Sequence, residues 1–222
     1  MGKNIRDVLK NKDIGAIGIG AMIVFIAMVL VAGIAASVLV QTSTKLETQA
    51  MKTGSETIAE VSTGIAVEQI LGHKVNATSI DEVAIIVRPR AGSTDIDLSE
   101  TVLEISDSKT KNLMIFDSTS FTTAPNVNGD LFALATFDGG AAVFRVAVLE
   151  DADGSCQSTS PVINQGDHVV LCVDIFTALG LFSPRTDTFG QVITEDGAPG
   201  IISFTTPATY IDYVIELQWG GW

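Results

Sequence analysis

Polar and apolar positions divide the 222-residue chain into three regimes. Residues 1–13 mix Lys3, Arg6, Lys10 and Lys12 with Asp7 and Asp13; then Ile14 to Val40, 27 positions, contains no charge, and fourteen of these residues are Ile, Val, Leu or Phe. About 20 apolar residues cross a bilayer as a helix. At roughly −0.3 to −0.6 kcal/mol each, the fourteen favour insertion by ~4–8 kcal/mol. Beyond Val40 polarity rises, yet Met51, Gly54, Ile58, Val61 and Ile65 recur at spacings of 3 and 4, one face of a continuing helix. The pattern predicts a helix over 16–70, about 80 Å long at 1.5 Å per residue, and a linker over 71–78. From Ser79 the period becomes two. The runs 83–87, 101–105, 131–135, 142–148, 168–173 and 213–217 read as strands, with Asp138-Gly139-Gly140 as a hairpin turn between two of them. Short strands separated by Gly, Pro, Asn and Asp predict an all-β, immunoglobulin-like sandwich over 79–222. The expected fold is therefore α+β: a long hydrophobic N-terminal helix, then a sandwich.

A helix that is apolar all round has to be surrounded by lipid or by other helices. Gly18, Gly20, Gly33, Ala35 and Ala36 allow close helix approach. The basic leader places the N-terminus on the cytoplasmic side of a membrane and the remainder outside. The run is too long for the 7–15-residue core of a secretory signal. Gly15-Ala16-Ile17-Gly18-Ile19-Gly20 is not a phosphate loop, because no strand precedes it and no acidic residue stands about 20 positions on.

The basic leader ending at Gly15, followed by Ala16-Ile17-Gly18-Ile19-Gly20-Ala21-Met22-Ile23-Val24-Phe25-Ile26-Ala27-Met28-Val29-Leu30-Val31-Ala32, closely resembles the start of archaellins, the archaeal flagellins. Residues 195–207, Glu195 to Pro207, resemble the same family's C-terminal region. The resemblance implies a class III signal over 1–15, cut between Gly15 and Ala16 by a prepilin-peptidase-like protease. Bacterial type IV pilins carry Glu at the fifth mature position; here Gly20 stands there, as in archaellins. The hydrophobic segment then stays in the mature chain. Ile19, Ile23, Phe25, Ile26, Val29, Leu30 and Ile34 are expected to pack among copies of the helix in a filament core.

Acidic residues outnumber basic ones 26 to 13, a net charge of −13, which repels a phosphate backbone and excludes nucleic acid as a partner. Without the leader the balance becomes 9 basic against 24 acidic residues, or −15. His73 and His168, the two histidines, stand in no zinc or catalytic motif, and the chain contains no G-x-S-x-G, Walker A or kinase signature. No enzyme and no required cofactor is expected. Cys156 and Cys172 are the two cysteines. A bridge closing 15 residues would add about 3 kcal/mol; two separate buried thiols are the alternative. Asn76-Ala77-Thr78 is an N-x-[ST] sequon, and the resemblance, whose members are commonly N-glycosylated, favours modification of Asn76. Asp151 and Asp153, in Glu150-Asp151-Ala152-Asp153-Gly154, form half of a calcium-type loop without its later Glu. A solvated acidic turn is one reading. The resemblance implies the other, a structural Ca²⁺ or similar divalent ion.

The expected function is a structural subunit of the archaellum, the swimming filament of archaea. Its expected partners are copies of itself or related archaellins, the signal peptidase, the assembly machinery and, before assembly, the membrane. An adhesive type IV pilin and a membrane-anchored immunoglobulin-like binding protein are the alternatives.

Overall fold

The computed structural model describes residues 5–123, 126–127 and 129–219, with side chains from residue 15 onward. The first four residues of the expected leader lie outside them. Helix α1 runs Ile5–Ser62, through the expected Gly15–Ala16 junction, and at 1.5 Å per residue is about 87 Å long. The chain divides into two compact units, Met1–Ser55 and Glu56–Trp222.

Twelve strands follow: β1 Ile65–Asn76, β2 Ser79–Pro89, β3 Ile96–Asp97, β4 Val102–Ser106, β5 Lys111–Thr122, β6 Val143–Glu150, β7 Cys156–Gln157, β8 Ser160–Ile163, β9 His168–Asp174, β10 Asp187–Ile193, β11 Gly200–Thr205 and β12 Val214–Trp219. One short helix, α2 Ile175–Ala178, leaves β9 with the Asp174 side chain capping its Thr177 N–H. Nine strands form one sheet in the order β11-β10-β4-β5-β6-β9-β2-β1-β12, and β3, β8 and β7 form a small second one. All neighbours are antiparallel except β5 and β6, whose parallel pairing needs the long crossover over 123–142.

The sheet curls until its ends meet. Ile65 donates to the Ala198 carbonyl at 3.2 Å and Ala198 to that of Thr63 at 2.9 Å. The Ser203 N–H of β11 donates to Gln218 Oε1 of β12 at 2.8 Å. The layering expected of a sandwich is thus made mainly by one continuous nine-stranded sheet. Strand β9 is buried on both faces: Val169, Leu171 and Val173 enter the main core with Ile65, Ile85, Leu103 and Phe144, while Val170 and Cys172 pack under Phe132 and Phe137 on the opposite face. This accounts for its unbroken apolar run.

Three expectations are corrected. The helix expected over 16–70 ends at Ser62, and residues 65–78, including the linker expected over 71–78, form β1 and the turn after it. Thr63-Gly64 breaks the helix, and Ile65, Val67 and Ile70 pair instead with Pro89, Val87 and Ile85 of β2, where β-branched side chains pack well. Residues 131–135, read as a strand, belong to two 3₁₀ turns, Leu131–Ala133 and Ala135–Phe137, the first capped by the Asp130 side chain. Asp138-Gly139-Gly140 therefore leads from a turn into β6, with no hairpin. The bridge between Cys156 and Cys172 is absent: both are free and buried, one in the main core and the other beyond β9 on the opposite face. The opposed faces, which spacing alone does not reveal, keep them apart.

Candidate functional site

The uncharged half of α1 is exposed along its length from residue 15. Ile19, Ile23, Phe25, Ile26, Val29, Leu30 and Ile34 are each more than half exposed, and the helix is long and apolar enough to cross a membrane, its most apolar stretch wholly unburied. Gly15, Gly18, Gly20 and Gly33 have open space where a Cβ would stand. Every one of the seven predicted packing residues is therefore free for an outside partner, and the glycines leave room for a backbone to approach.

Residues 195–207 clasp the chain just past α1. Gly197 adopts a positive φ of 93°, and a Cβ there would meet the Thr63 carbonyl oxygen at 2.1 Å, so only glycine fits. Ala198 then exchanges hydrogen bonds with Thr63 and Ile65, and β11 begins at Gly200. The motif acts in the fold, as the closure of the sheet.

Asp151 and Asp153 come together, and a third carboxylate that spacing did not reveal joins them: Asp167, from the turn after β8. Ligand oxygens of all three lie within 4.8 Å of one another. Asp151 accepts from the N–H groups of Gly154 at 2.8 Å and Cys156 at 3.1 Å. Asp153 accepts from Asn164 Nδ2 at 2.6 Å and the Ser155 N–H at 3.0 Å, and the Asn164 bond leads in holding its carboxyl below the usual range. Asp167 is buried; burial, with the charges of Asp151 and Asp153, pushes its carboxyl upward. An all-oxygen, carboxylate-rich donor set is the one that hard cations such as Ca²⁺ prefer, and a cation would relieve the repulsion at Asp167.

A second cluster was legible only once strands were in register. β1 and β2 set His73 directly opposite Glu82. His73 Nδ1 lies 2.8 Å from Asp81 Oδ1 and 3.3 Å from Glu82 Oε2. Its ring stacks on Phe132 at 5.2 Å and meets the Tyr213 ring edge-on at 4.6 Å. Glu82 Oε2 is buried and accepts no hydrogen bond among the described residues. Burial, reinforced by Asp81 and Asp174, raises the Glu82 carboxyl to about 7. Nearby, Arg145 anchors the second 3₁₀ turn: its Nη1 donates to the Asp138 carbonyl at 2.7 Å and its Nε to Asp117 Oδ2 at 2.9 Å. His168 lies apart, 3.5 Å from Glu68 and 3.6 Å from Glu150.

Asn76 closes β1 and pairs with Ser79 across a two-residue turn. Residues 76–78, the sequon, are all exposed.

The burial of Cys156 and Cys172 pushes both thiols up to about 12, which removes their thiolate chemistry at neutral pH.

Comparison with known proteins shows the family. The model of the archaeal-type flagellin family matches residues 15–204. Flagellin B2 of Methanocaldococcus jannaschii is 45% identical over 218 residues, covering 96% of this chain and 98% of that protein. Flagellin B3 of Methanococcus voltae is 36% identical over 240 residues, covering 96% and 100%. The crystal structure of archaeal flagellin FlaB1 from Methanocaldococcus jannaschii superposes with a TM-score of 0.66 at 33% identity, over 72% of this chain and 99% of that one. The archaeal flagellum of Methanospirillum hungatei, 15% identical, shares the fold with a TM-score of 0.62 over 89% and 98%. With the match running from the Gly15–Ala16 junction through α1 to β11, the chain belongs to the archaeal-type flagellin family.

Proposed function

We infer that this protein is a structural subunit of the archaellum, assembling with copies of itself or related archaellins into an extracellular filament. The observation that carries the reading is α1: an uncharged, exposed helix surface in a chain of the archaeal flagellin family. Exposed apolar side chains favour any environment that removes them from water, at roughly 25 cal/mol per Å². Lipid offers that to the precursor, and neighbouring helices offer it in the filament. Transfer between the two costs little in hydrophobic burial, because one apolar surround replaces another. Torque comes from other proteins, so the subunit supplies rigidity and self-recognition rather than catalysis.

Processing fits this scheme. Cleavage by a prepilin-peptidase-like enzyme after Gly15 removes four basic and two acidic residues that would otherwise lie in or beside an apolar helix core, where unpaired charge is strongly disfavoured. The assembly machinery then draws the mature helix from the membrane. The intact mass of filament protein tests this: it should correspond to a chain beginning at Ala16, and a chain beginning at Met1 would contradict it.

Two accessory sites belong to the outer domain. Asp151, Asp153 and Asp167 hold a divalent cation, Ca²⁺ by the hardness of the donor set, whose charge offsets their repulsion. Asn76 carries an N-linked glycan, its Nδ2 joined to the anomeric carbon of the first sugar with loss of an amide proton and of the donor's leaving group. Both would ease the crowding of subunits that each carry a net charge of −15 once processed.

A further inference from the structure

Asn76 stands on the rim of a cleft of about 310 Å³ in the outer domain, of the size that takes a small ligand. Its walls are of two kinds. Phe176, 62% exposed, and Leu181 offer an apolar platform, while Asp81, Glu82 and Asp174 bring carboxylates to the same space. Asp174 is already committed to capping Thr177. The Oε2 atom of Glu82 is buried beside His73 Nδ1 at 3.3 Å, a nitrogen that lies closer to Asp81 Oδ1, at 2.8 Å.

A pyranose ring has matching chemistry: a face of C–H groups that lies against an aromatic ring, and hydroxyl donors around its edge. Carboxylates accept such donors through several lone pairs. An anionic ligand would be repelled here. A sugar bonded to Asn76 needs no separate encounter, because its attachment on the rim raises its effective concentration in the cleft to the millimolar range or above.

We propose that this cleft seats the first sugars of the glycan on Asn76, with Phe176 stacked on a sugar ring and the carboxylates of Asp81 and Glu82 accepting its hydroxyls. This rests on the reading of Asn76 as the attachment site. The glycan then acts as a covalent lid over Phe176, Leu181 and the β1–β2 turn. The raised carboxyl of Glu82 allows it to donate as well as accept near neutral pH.

Hydrogen exchange on natively produced filament protein tests the proposal, with peptide mass spectrometry reporting the modification of Asn76. The probes are the wild type, Asn76→Gln, Phe176→Ala and the double variant. The modified wild type should exchange several-fold more slowly over 174–182 than Asn76→Gln. Phe176→Ala should keep its glycan yet exchange as Asn76→Gln does, and in the Asn76→Gln background it should change nothing further. Equal exchange in the wild type and Asn76→Gln, with Asn76 fully modified, would overturn the seating and leave the attachment standing. An unmodified Asn76 would overturn both. Protection that persists in Asn76→Gln and disappears on chelation would assign the cleft to a cation and overturn the proposal.

Discussion

Glu82 and Asp167 are carboxylates driven upward in pKa by burial and by other carboxylates, and their surroundings suggest opposite remedies. Glu82 faces His73, Asp81, Asp130, Asp138 and Asp174, and with its carboxyl near 7 it holds a proton more tightly in the native state than in the unfolded chain. Such a group favours the native state most below about pH 4.5 and progressively less as pH rises toward 7. Glu82→Gln should therefore lessen the fall in melting temperature between about pH 5 and 8, measured calorimetrically; an unchanged slope would show that Glu82 does not carry it. Asp167 sits with Asp151 and Asp153 in a cation-shaped arrangement. Chelation should lower the outer domain's melting temperature by about 5–10 °C, if the cation is held a hundredfold above its Kd. Asp167→Asn should be insensitive to chelator. Equal melting of the wild type with and without chelator would return the turn to a solvated acidic loop. Asp151 and Asp153 were visible in the sequence because they are neighbours; Asp167 was not, because only the turn after β8 brings it back. His73 and Glu82 likewise meet through strand register, which residue spacing does not state.

Elements were legible where one physical signal dominated. The 27 uncharged positions could be nothing but a helix needing an apolar surround, and the double-sided burial of β9 leaves an apolar run that reads as a strand. Errors came where two signals overlapped. Ile58, Val61 and Ile65 keep helical spacing straight through Thr63-Gly64, which hides the end of α1: Ile58 and Val61 are exposed on the helix, and Ile65 is buried by the sheet. β5 escapes a period-two pattern because much of it is exposed and lacks clean alternation, and Leu131–Ala135 mimics a strand because a turn lying over a sheet face is as apolar as a strand within it. Close backbone approach is equally invisible in spacing. A Cβ at Gly190 in β10 would stand 2.1 Å from the Glu104 carbonyl oxygen of β4. Gly190→Ala should destabilise the outer domain by ~2–3 kcal/mol through overpacking, measured by denaturant unfolding, whereas a loss under about 0.5 kcal/mol would mean the two strands part easily.

At the scale of the whole molecule, α1 exposes its apolar residues, and the strands that follow bring the edge strands of their large sheet, β11 and β12, together. The edge strands β11 and β12 lie against each other, and the main apolar surface that the molecule leaves exposed is that of α1. Net charge opposes assembly, and the apolar helix surface has to outweigh it. If the uncharged face of α1 forms the filament core, electron microscopy of cells producing Phe25→Glu will reveal it. A carboxylate at Phe25, moved into an apolar surround without a partner, costs several kcal/mol per subunit. Phe25→Glu should give no filaments, with an outer domain that melts as the wild type does. Filaments of normal length and diameter built from Phe25→Glu subunits would contradict it.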